Sequence, residues 1–170
     1  MEIAELVAKY EGKGFSRERA EVNALMNAVF AIFRDFPDAF LLFGGATLVL
    51  FHESVRHSAG LDLLALGASL PSREEIIACL KRDVDPVARI LQLGELSFEA
   101  KGPDAQQGTI FVIGESRQHL FRIDLTRFGS AIQSEVEAHP MKGEFGDFAV
   151  IKSATKELLL LQKAEAFVLR

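Results

Sequence analysis

Apolar and polar positions in the first third of the chain follow the periods of helices and of short buried strands. Residues 3–10 predict a short helix, and Ser16 is a suitable N-cap for a longer helix that runs to about Phe36. Pro37 is expected to end that helix. A buried strand, a helix and a second apolar strand are then predicted at residues 40–43, 46–54 and 61–66.

The rest of the chain predicts one more helix, a run of strands and a final helix. Ser72 and Glu75 have the spacing of a capping box that starts a helix, and Pro86 is expected to break it. Polar, glycine-containing loops separate strands at residues 96–100, 109–113 and 119–125, and residues 148–151 are a candidate for one more strand. Ser153 or Thr155 would cap the apolar last helix. Successive strands after a helix favour an α+β class.

The chain is interpreted as a single domain in three stretches. Residues 1–38 form an N-terminal helical segment, residues 39–152 the core, and residues 153–170 the start of a C-terminal helical region. The last helix reaches residue 170 without a C-cap signal, so we expect the domain to continue and the chain to be a fragment. An apolar face of that helix would then lack a partner in this chain.

Composition narrows the class of protein. Apolar residues make up 49% of the chain, which excludes a disordered polymer. The net charge of −5 gives no general electrostatic footprint for nucleic acid. The longest apolar run, residues 39–51, is shorter than the roughly 18 residues of a membrane span. We therefore expect a cytoplasmic protein without a membrane partner, in which the single Cys79 is a buried, inert thiol.

Gly44 and Gly45 lie between a predicted strand and a predicted helix, and Thr47 follows them. A turn without side chains lets the backbone approach phosphate oxygens, and a helix N-terminus supplies free N–H donors. Glycine pairs at such turns also serve packing alone. The turn predicts nucleotide binding only together with the residues that follow it.

Carboxylates on apolar strands form the second half of the candidate site. Asp62 lies on one predicted strand and Asp124 on another, where an unpaired carboxylate is costly to bury. Both are expected to bind Mg²⁺, which prefers carboxylate oxygens and keeps several waters. Two Asp residues at i and i+2 would share a strand face, but the position two before Asp62 is Gly60. The alternative for Asp124 is a salt bridge to Arg56, Arg122 or Arg127.

Together these motifs resemble those of the AbiEii nucleotidyltransferases, an abortive-infection family within the DNA polymerase β-like superfamily. That family has a Gly-Gly-Thr turn and then an Arg-x-Ser-x-Asp-x-Asp-Leu segment. The matching residues of this chain are Gly44, Gly45, Thr47 (displaced by one), Arg56, Ser58 and Asp62, with Gly60 at the first Asp. The run FRIDL resembles the family's next acidic strand. A Lys-x-x-Ala-x-x-x-Arg spacing in the last helix is matched by Lys163, Ala166 and Arg170.

The resemblance, which covers about residues 40–170, implies a nucleotidyltransferase-like mixed sheet flanked by helices. It implies transfer of a nucleoside monophosphate from a nucleoside triphosphate (NTP) to an acceptor, with Mg²⁺ as cofactor. The residues expected to bind the nucleotide are Gly44, Gly45, Thr47, Arg56 and Ser58. Asp62 and Asp124 would hold the metal, and these two with Lys163 would be catalytic. An RNA or protein acceptor and a cognate antitoxin are the partners that a toxin of this type would have.

Gly60 supports a different class of protein, a binding module that keeps the fold and has lost catalysis. Loss of one metal carboxylate removes a strong transition-state interaction. Glu53 or Glu99 could replace the missing carboxylate. If neither does, Gly60→Asp is expected to raise activity or metal affinity. An unrelated α+β domain is a third interpretation. His52 and His57 lack a third ligand for zinc at helical spacing.

Overall fold

The computed structural model describes residues 2–52, 54, 58–66, 70–103, 107–127, 136–142 and 148–168. The elements in chain order are α1 (Ile3–Gly12), α2 (Arg17–Ala28), α3 (Ala31–Asp35), β1 (Phe40–Phe43), α4 (Gly44–Phe51), β2 (Gly60–Ala65), α5 (Arg73–Ile90), β3 (Ser97–Lys101), β4 (Gly108–Ile113), β5 (His119–Arg127), β6 (Val136–Lys142), β7 (Phe148–Ala154) and α6 (Lys156–Val168).

The strands form one mixed sheet in the order β3-β4-β5-β2-β1-β7-β6. β2 runs parallel to β5 and β1 runs parallel to β7, whereas the other neighbouring pairs are antiparallel. Helices flank this sheet, so the predicted α+β class with a mixed sheet is confirmed.

One face of the sheet carries the main core. Alternate residues of the central strands, among them Leu61, Leu63 and Ile123, point into it and are buried. Helices α1, α2, α3 and α5 supply the other half of this core. The burial of these apolar side chains is the main stabilising contribution to the fold.

Among the described residues, the second face of the sheet is only partly covered. Leu41, Phe43 and Leu64 form a small apolar cluster there with Leu159 of α6. The neighbouring residues of α6, Leu160 and Leu161, are 52% and 58% exposed. Within the same residues, no helix has the length and apolar character needed to cross a bilayer.

Two local predictions were wrong, and one strand was missed. The helix expected to reach Phe36 is interrupted at residues 29–30 and continues as α3. Pro86 lies inside α5 without ending it, because the buried Val84 and Val87 on either side keep that helix packed against the core. Strand β6 was not predicted; it contains Pro140, which an edge strand tolerates since one side of its backbone needs no partner.

Candidate functional site

The first part of the site is the close approach of Gly44 to Asp62. Phe43 at the end of β1 is the register partner of Asp62 on β2, so the carboxylate lies beside the residue that follows Phe43. A Cβ on Gly44 would stand 1.9 Å from Oδ2 of Asp62, and Gly44 has φ +72°. Both the space and the backbone conformation therefore require glycine at this position.

Helix α4 begins at Gly44 and presents its N-terminus to the same place. Its N-cap residue, Phe43, offers no side-chain cap to the first-turn N–H groups. Those groups carry the positive end of the helix dipole and attract anions. The Asp62 carboxylate therefore lies at a helix end that is suited to phosphate.

The hydroxyl groups of Ser58 and Thr47 lie in different surroundings. The Ser58 hydroxyl donates to the Gly60 carbonyl oxygen at 2.7 Å, and a Cβ on Gly45 would lie 3.5 Å from Ser58 Oγ. Thr47 is fully buried, and its hydroxyl has no hydrogen-bond partner within the described part of the chain. Ser58 thus supports the loop before β2, and Thr47 Oγ1 does not reach the surface of the site. Their nucleotide-binding roles stay predictions.

Asp62 and Asp124 are register partners on the parallel strands β2 and β5. Residues paired in this way point to the same face of neighbouring strands, which are about 4.8 Å apart. Burial raises the pKa of Asp62, and the neighbouring Asp124 carboxylate raises it further. The cationic groups of Arg122 and Lys163 act against both effects and lower that pKa. The sheet and α6 therefore bring the two predicted carboxylates and the predicted lysine together.

Lys163 on α6 lies close enough to Asp62 for its positive charge to lower the pKa of that carboxyl. Leu159, one turn earlier on the helix, is buried in the small apolar cluster, so the side of α6 that carries both residues faces the sheet. Lys163 itself is exposed, which leaves its ammonium able to bind a ligand. Arg56 and Arg170 lie outside the described residues, and of Ala166 only the helical backbone is described.

The two carboxylates have different partners. Asp124 accepts hydrogen bonds from Thr109 Oγ1 at 2.7 Å and from Arg122 Nε at 2.8 Å. Asp62 accepts no hydrogen bond from a described residue. The salt bridge considered for Asp124 is therefore present, with Arg122. A carboxylate has about four lone-pair sites, so Asp124 keeps some capacity for a metal ion.

Gly60 is packed against β5 and not open to the site. A Cβ at this position would lie 2.4 Å from the Arg122 carbonyl oxygen and 2.9 Å from Arg122 Cγ. An aspartate here would displace backbone as well as the Arg122 side chain. Gly60→Asp therefore does not fit this structure as a simple restoration of a metal ligand, contrary to the expectation from the sequence.

The residues present fit one divalent cation. Mg²⁺ bound with a triphosphate needs only one or two protein carboxylates, since phosphate oxygens and waters complete its shell. Asp62 and Asp124 can supply them. Glu99 is exposed on β3, which β4 and β5 separate from β2, so it does not replace the missing carboxylate at Gly60. Glu53 lies outside the described residues.

A second acidic cluster lies elsewhere, where Asp35, Cys79 and Asp83 place their oxygen and sulfur atoms within 4.8 Å of one another. Arg34 binds both carboxylates, at 2.8 Å and 3.0 Å, and Arg82 binds them too. Burial raises the pKa of the Cys79 thiol to about 12. This cluster is an ion-pair network around a thiol that is buried, as predicted for Cys79, and its carboxylates are already paired with two arginines.

The sequence named Arg122 as one of three possible partners of Asp124, whereas Thr109 was missed. The signal for Arg122 was present, because Arg122 and Asp124 are two residues apart on a strand and must share a face. Thr109 could not be recognised, since its position opposite Asp124 depends on the β4–β5 register.

Comparison with known proteins supports the fold. No family model and no curated protein matches the sequence. The structure is similar to that of a presumed nucleotidyltransferase from H. pylori, with a TM-score of 0.61 and 17% sequence identity over 88% of this chain. The chain spans 59% of the length of that protein. The nucleotidyltransferase-like architecture is therefore confirmed, whereas the AbiEii subfamily and the roles of the site residues stay predictions.

Proposed function

We propose that this protein is a nucleotidyltransferase that transfers a nucleoside monophosphate from an NTP to a hydroxyl or phosphate acceptor. The observation that supports this proposal best is the convergence of Asp62, Asp124 and Lys163 beside the glycine turn at the start of α4. The assignment to the AbiEii type, with an RNA or protein acceptor and a cognate antitoxin, rests on the sequence motifs alone.

The glycine turn would bind the triphosphate. The first N–H groups of α4, at Gly44 and Gly45, would donate hydrogen bonds to phosphate oxygens, and the absence of side chains lets those oxygens approach the backbone. Lys163 would pair with the charge that develops on the leaving pyrophosphate. The bond from the α-phosphorus to its bridging oxygen breaks as the acceptor oxygen attacks, and the acceptor proton is released.

Asp62 and Asp124 would hold one Mg²⁺. When bound, Mg²⁺ would neutralise phosphate charge and lower the pKa of the attacking hydroxyl. Asp62 suits this role because burial raises its pKa and its oxygens accept no hydrogen bond from the described residues. Thr109 and Arg122 would keep Asp124 oriented toward the same point.

A second candidate function is nucleotide binding without catalysis. The specific observation in its favour is the Arg122 side chain, which occupies the space above Gly60 and neutralises Asp124. A site of this kind would keep the glycine turn and Lys163 for phosphate. It would lack the carboxylates for a second metal ion within the described residues.

A transfer assay tests the proposal. The native chain is incubated with each α-³²P-labelled NTP and Mg²⁺, with short RNA oligonucleotides or the protein itself as acceptor. We expect label transfer and pyrophosphate release that Asp62→Asn abolishes. Asp38→Asn is the matched control, because Asp38 lies before β1, at the end away from Gly44, and its side chain is 88% exposed. NTP binding without transfer would favour the non-catalytic alternative, and absence of NTP binding would exclude both functions.

A further inference from the structure

Phe111 lies on the face of the sheet that carries the two site carboxylates. It is a half-buried residue of β4 and the register partner of Arg122 on β5. Thr109, two residues earlier on the same strand face, donates its hydroxyl hydrogen to Asp124. The Phe111 ring and the Asp124 carboxylate therefore share one face, on adjacent strands.

Cationic and aromatic groups surround the ring. The Lys101 ammonium lies 5.1 Å from the ring centroid, and the His119 ring centroid lies 5.0 Å away at an interplanar angle of 52°. Lys101 and His119 are exposed, and the Arg122 side chain is 58% exposed. The main core is on the opposite face, where Phe121 is buried, so packing in that core does not account for the half-buried Phe111 ring.

The distance to the carboxylates suits a single nucleotide. β4 is separated from β2 by β5, which places Phe111 about two strand spacings, about 10 Å, from the strand of Asp62. Glu99, the register partner of Phe111 on the other side, is an exposed carboxylate that repels phosphate. A phosphate attached to a base on Phe111 is therefore favoured near Arg122 or Lys101 and away from Glu99.

We propose that Phe111, with Lys101, His119 and Arg122 around it, stacks an unpaired nucleobase and binds its adjacent phosphate. These four residues are called the Phe111 platform. Aromatic rings beside cations bind single nucleotides because every base has a π-face and carries a phosphate. The long, exposed Lys101 side chain leaves the ring when the base stacks and pairs with the phosphate instead.

The base has two potential sources, the donor NTP and a single-stranded RNA acceptor. This inference rests on the proposed function, because the donor NTP and an RNA acceptor both carry a base with an attached phosphate. The same chemistry of stacking and charge pairing serves either one. The experiment separates them by presenting each source alone.

The test uses 2-aminopurine, whose fluorescence is quenched on stacking. One probe is 2-aminopurine riboside triphosphate and the other is a 12-nucleotide RNA with one central 2-aminopurine. We expect the native chain to quench at least one probe, and Phe111→Leu to weaken that binding about 5- to 100-fold. Phe111→Tyr should retain the binding. Ile90→Ala, at a 54% exposed residue of α5, is the control.

The probe whose binding is lost in Phe111→Leu identifies the source of the base. A loss confined to the triphosphate assigns the platform to the donor base, and a loss confined to the RNA assigns it to the acceptor. Lys101→Gln, which leaves the core untouched, should reduce affinity for the same probe and weaken its salt dependence. Failure to quench either probe, or equal affinity in the native chain and Phe111→Leu, overturns the inference. If the inference fails in this way, the proposed function is still supported when ATP binding depends on Mg²⁺ and Asp62→Asn removes that binding.

Discussion

Asp62 and Asp124 are register partners on parallel strands, yet in the described structure only Asp124 is held by hydrogen bonds. The pairing places two carboxylates next to each other in a partly buried position. The pKa of Asp62 is raised by burial first and by Asp124 second. The fold therefore tolerates an unfavourable carboxylate at this position, as binding sites for cations commonly do.

Asp62→Asn is expected to stabilise the protein slightly at pH 7. A carboxyl group whose pKa is raised on folding favours the folded state at low pH, and that contribution is lost as pH rises through the folded-state pKa. Removing the charge should raise the melting temperature by about 1–2 °C at pH 7. Thermal unfolding measured from pH 7 down to pH 4 checks this, because the gain should shrink as Asp62 becomes protonated. A lower melting temperature at pH 7 would contradict the prediction.

Asp124→Asn is the contrasting variant. Asn cannot keep the charge-assisted hydrogen bond from Arg122, so we expect a loss of about 1 kcal/mol in the free energy of unfolding. Urea denaturation of both variants measures the two effects under the same conditions. Equal changes in the free energy of unfolding for Asp62→Asn and Asp124→Asn would show that the hydrogen bonds to Asp124 do not stabilise the fold.

Gly60→Ala should destabilise the protein by about 1–3 kcal/mol. The added methyl group would lie 2.4 Å from the Arg122 carbonyl oxygen, and backbone must move to make room for it. Gly12→Ala is the matched control, since a Cβ there meets no atom within 4 Å. That substitution should be neutral or stabilising by up to about 1 kcal/mol. A neutral Gly60→Ala would reopen the interpretation of Gly60 as a vacant metal-ligand position.

Gly44→Ala should cost about 2–4 kcal/mol, from a strained φ of +72° and from overlap with Asp62 Oδ2. The double variant Gly44→Ala/Asp62→Ala removes the overlap and keeps the strain. It should therefore be more stable than the sum of the single variants predicts. Additive free energies of unfolding in this double-mutant cycle would mean that Gly44 and Asp62 do not interact.

Lys163→Met should lower affinity for ATP about 10-fold or more without unfolding the protein, because it removes a phosphate-binding charge from an exposed position. Lys156→Met changes another exposed lysine of α6, two turns earlier, and should leave affinity unchanged. Filter binding of labelled ATP measures both variants. An equal loss of ATP affinity in Lys163→Met and Lys156→Met would indicate a general effect of the positive charge of α6.

Local spacing and apolar patterns predicted the glycine turn and the strands that carry Asp62 and Asp124, whereas the mixed sheet was implied by the family resemblance. The sequence could not predict that the Arg122 side chain covers Gly60. That contact depends on the register between β2 and β5, whose paired residues Gly60 and Arg122 are far apart in the chain. The continuation of α5 through Pro86 likewise depends on tertiary packing rather than on local propensity.

Isothermal titration of ATP, CTP, GTP and UTP, each with and without Mg²⁺, tests the central claim most directly. The account predicts that the native chain binds at least one NTP only when Mg²⁺ is present, and that Asp62→Asn removes the Mg²⁺ dependence. It also predicts weaker Mg²⁺-dependent binding at pH 5 than at pH 8, since the raised pKa of Asp62 lets protons compete with the metal. Binding that is equally strong without Mg²⁺, or unchanged in Asp62→Asn, would contradict a metal site at Asp62 and Asp124.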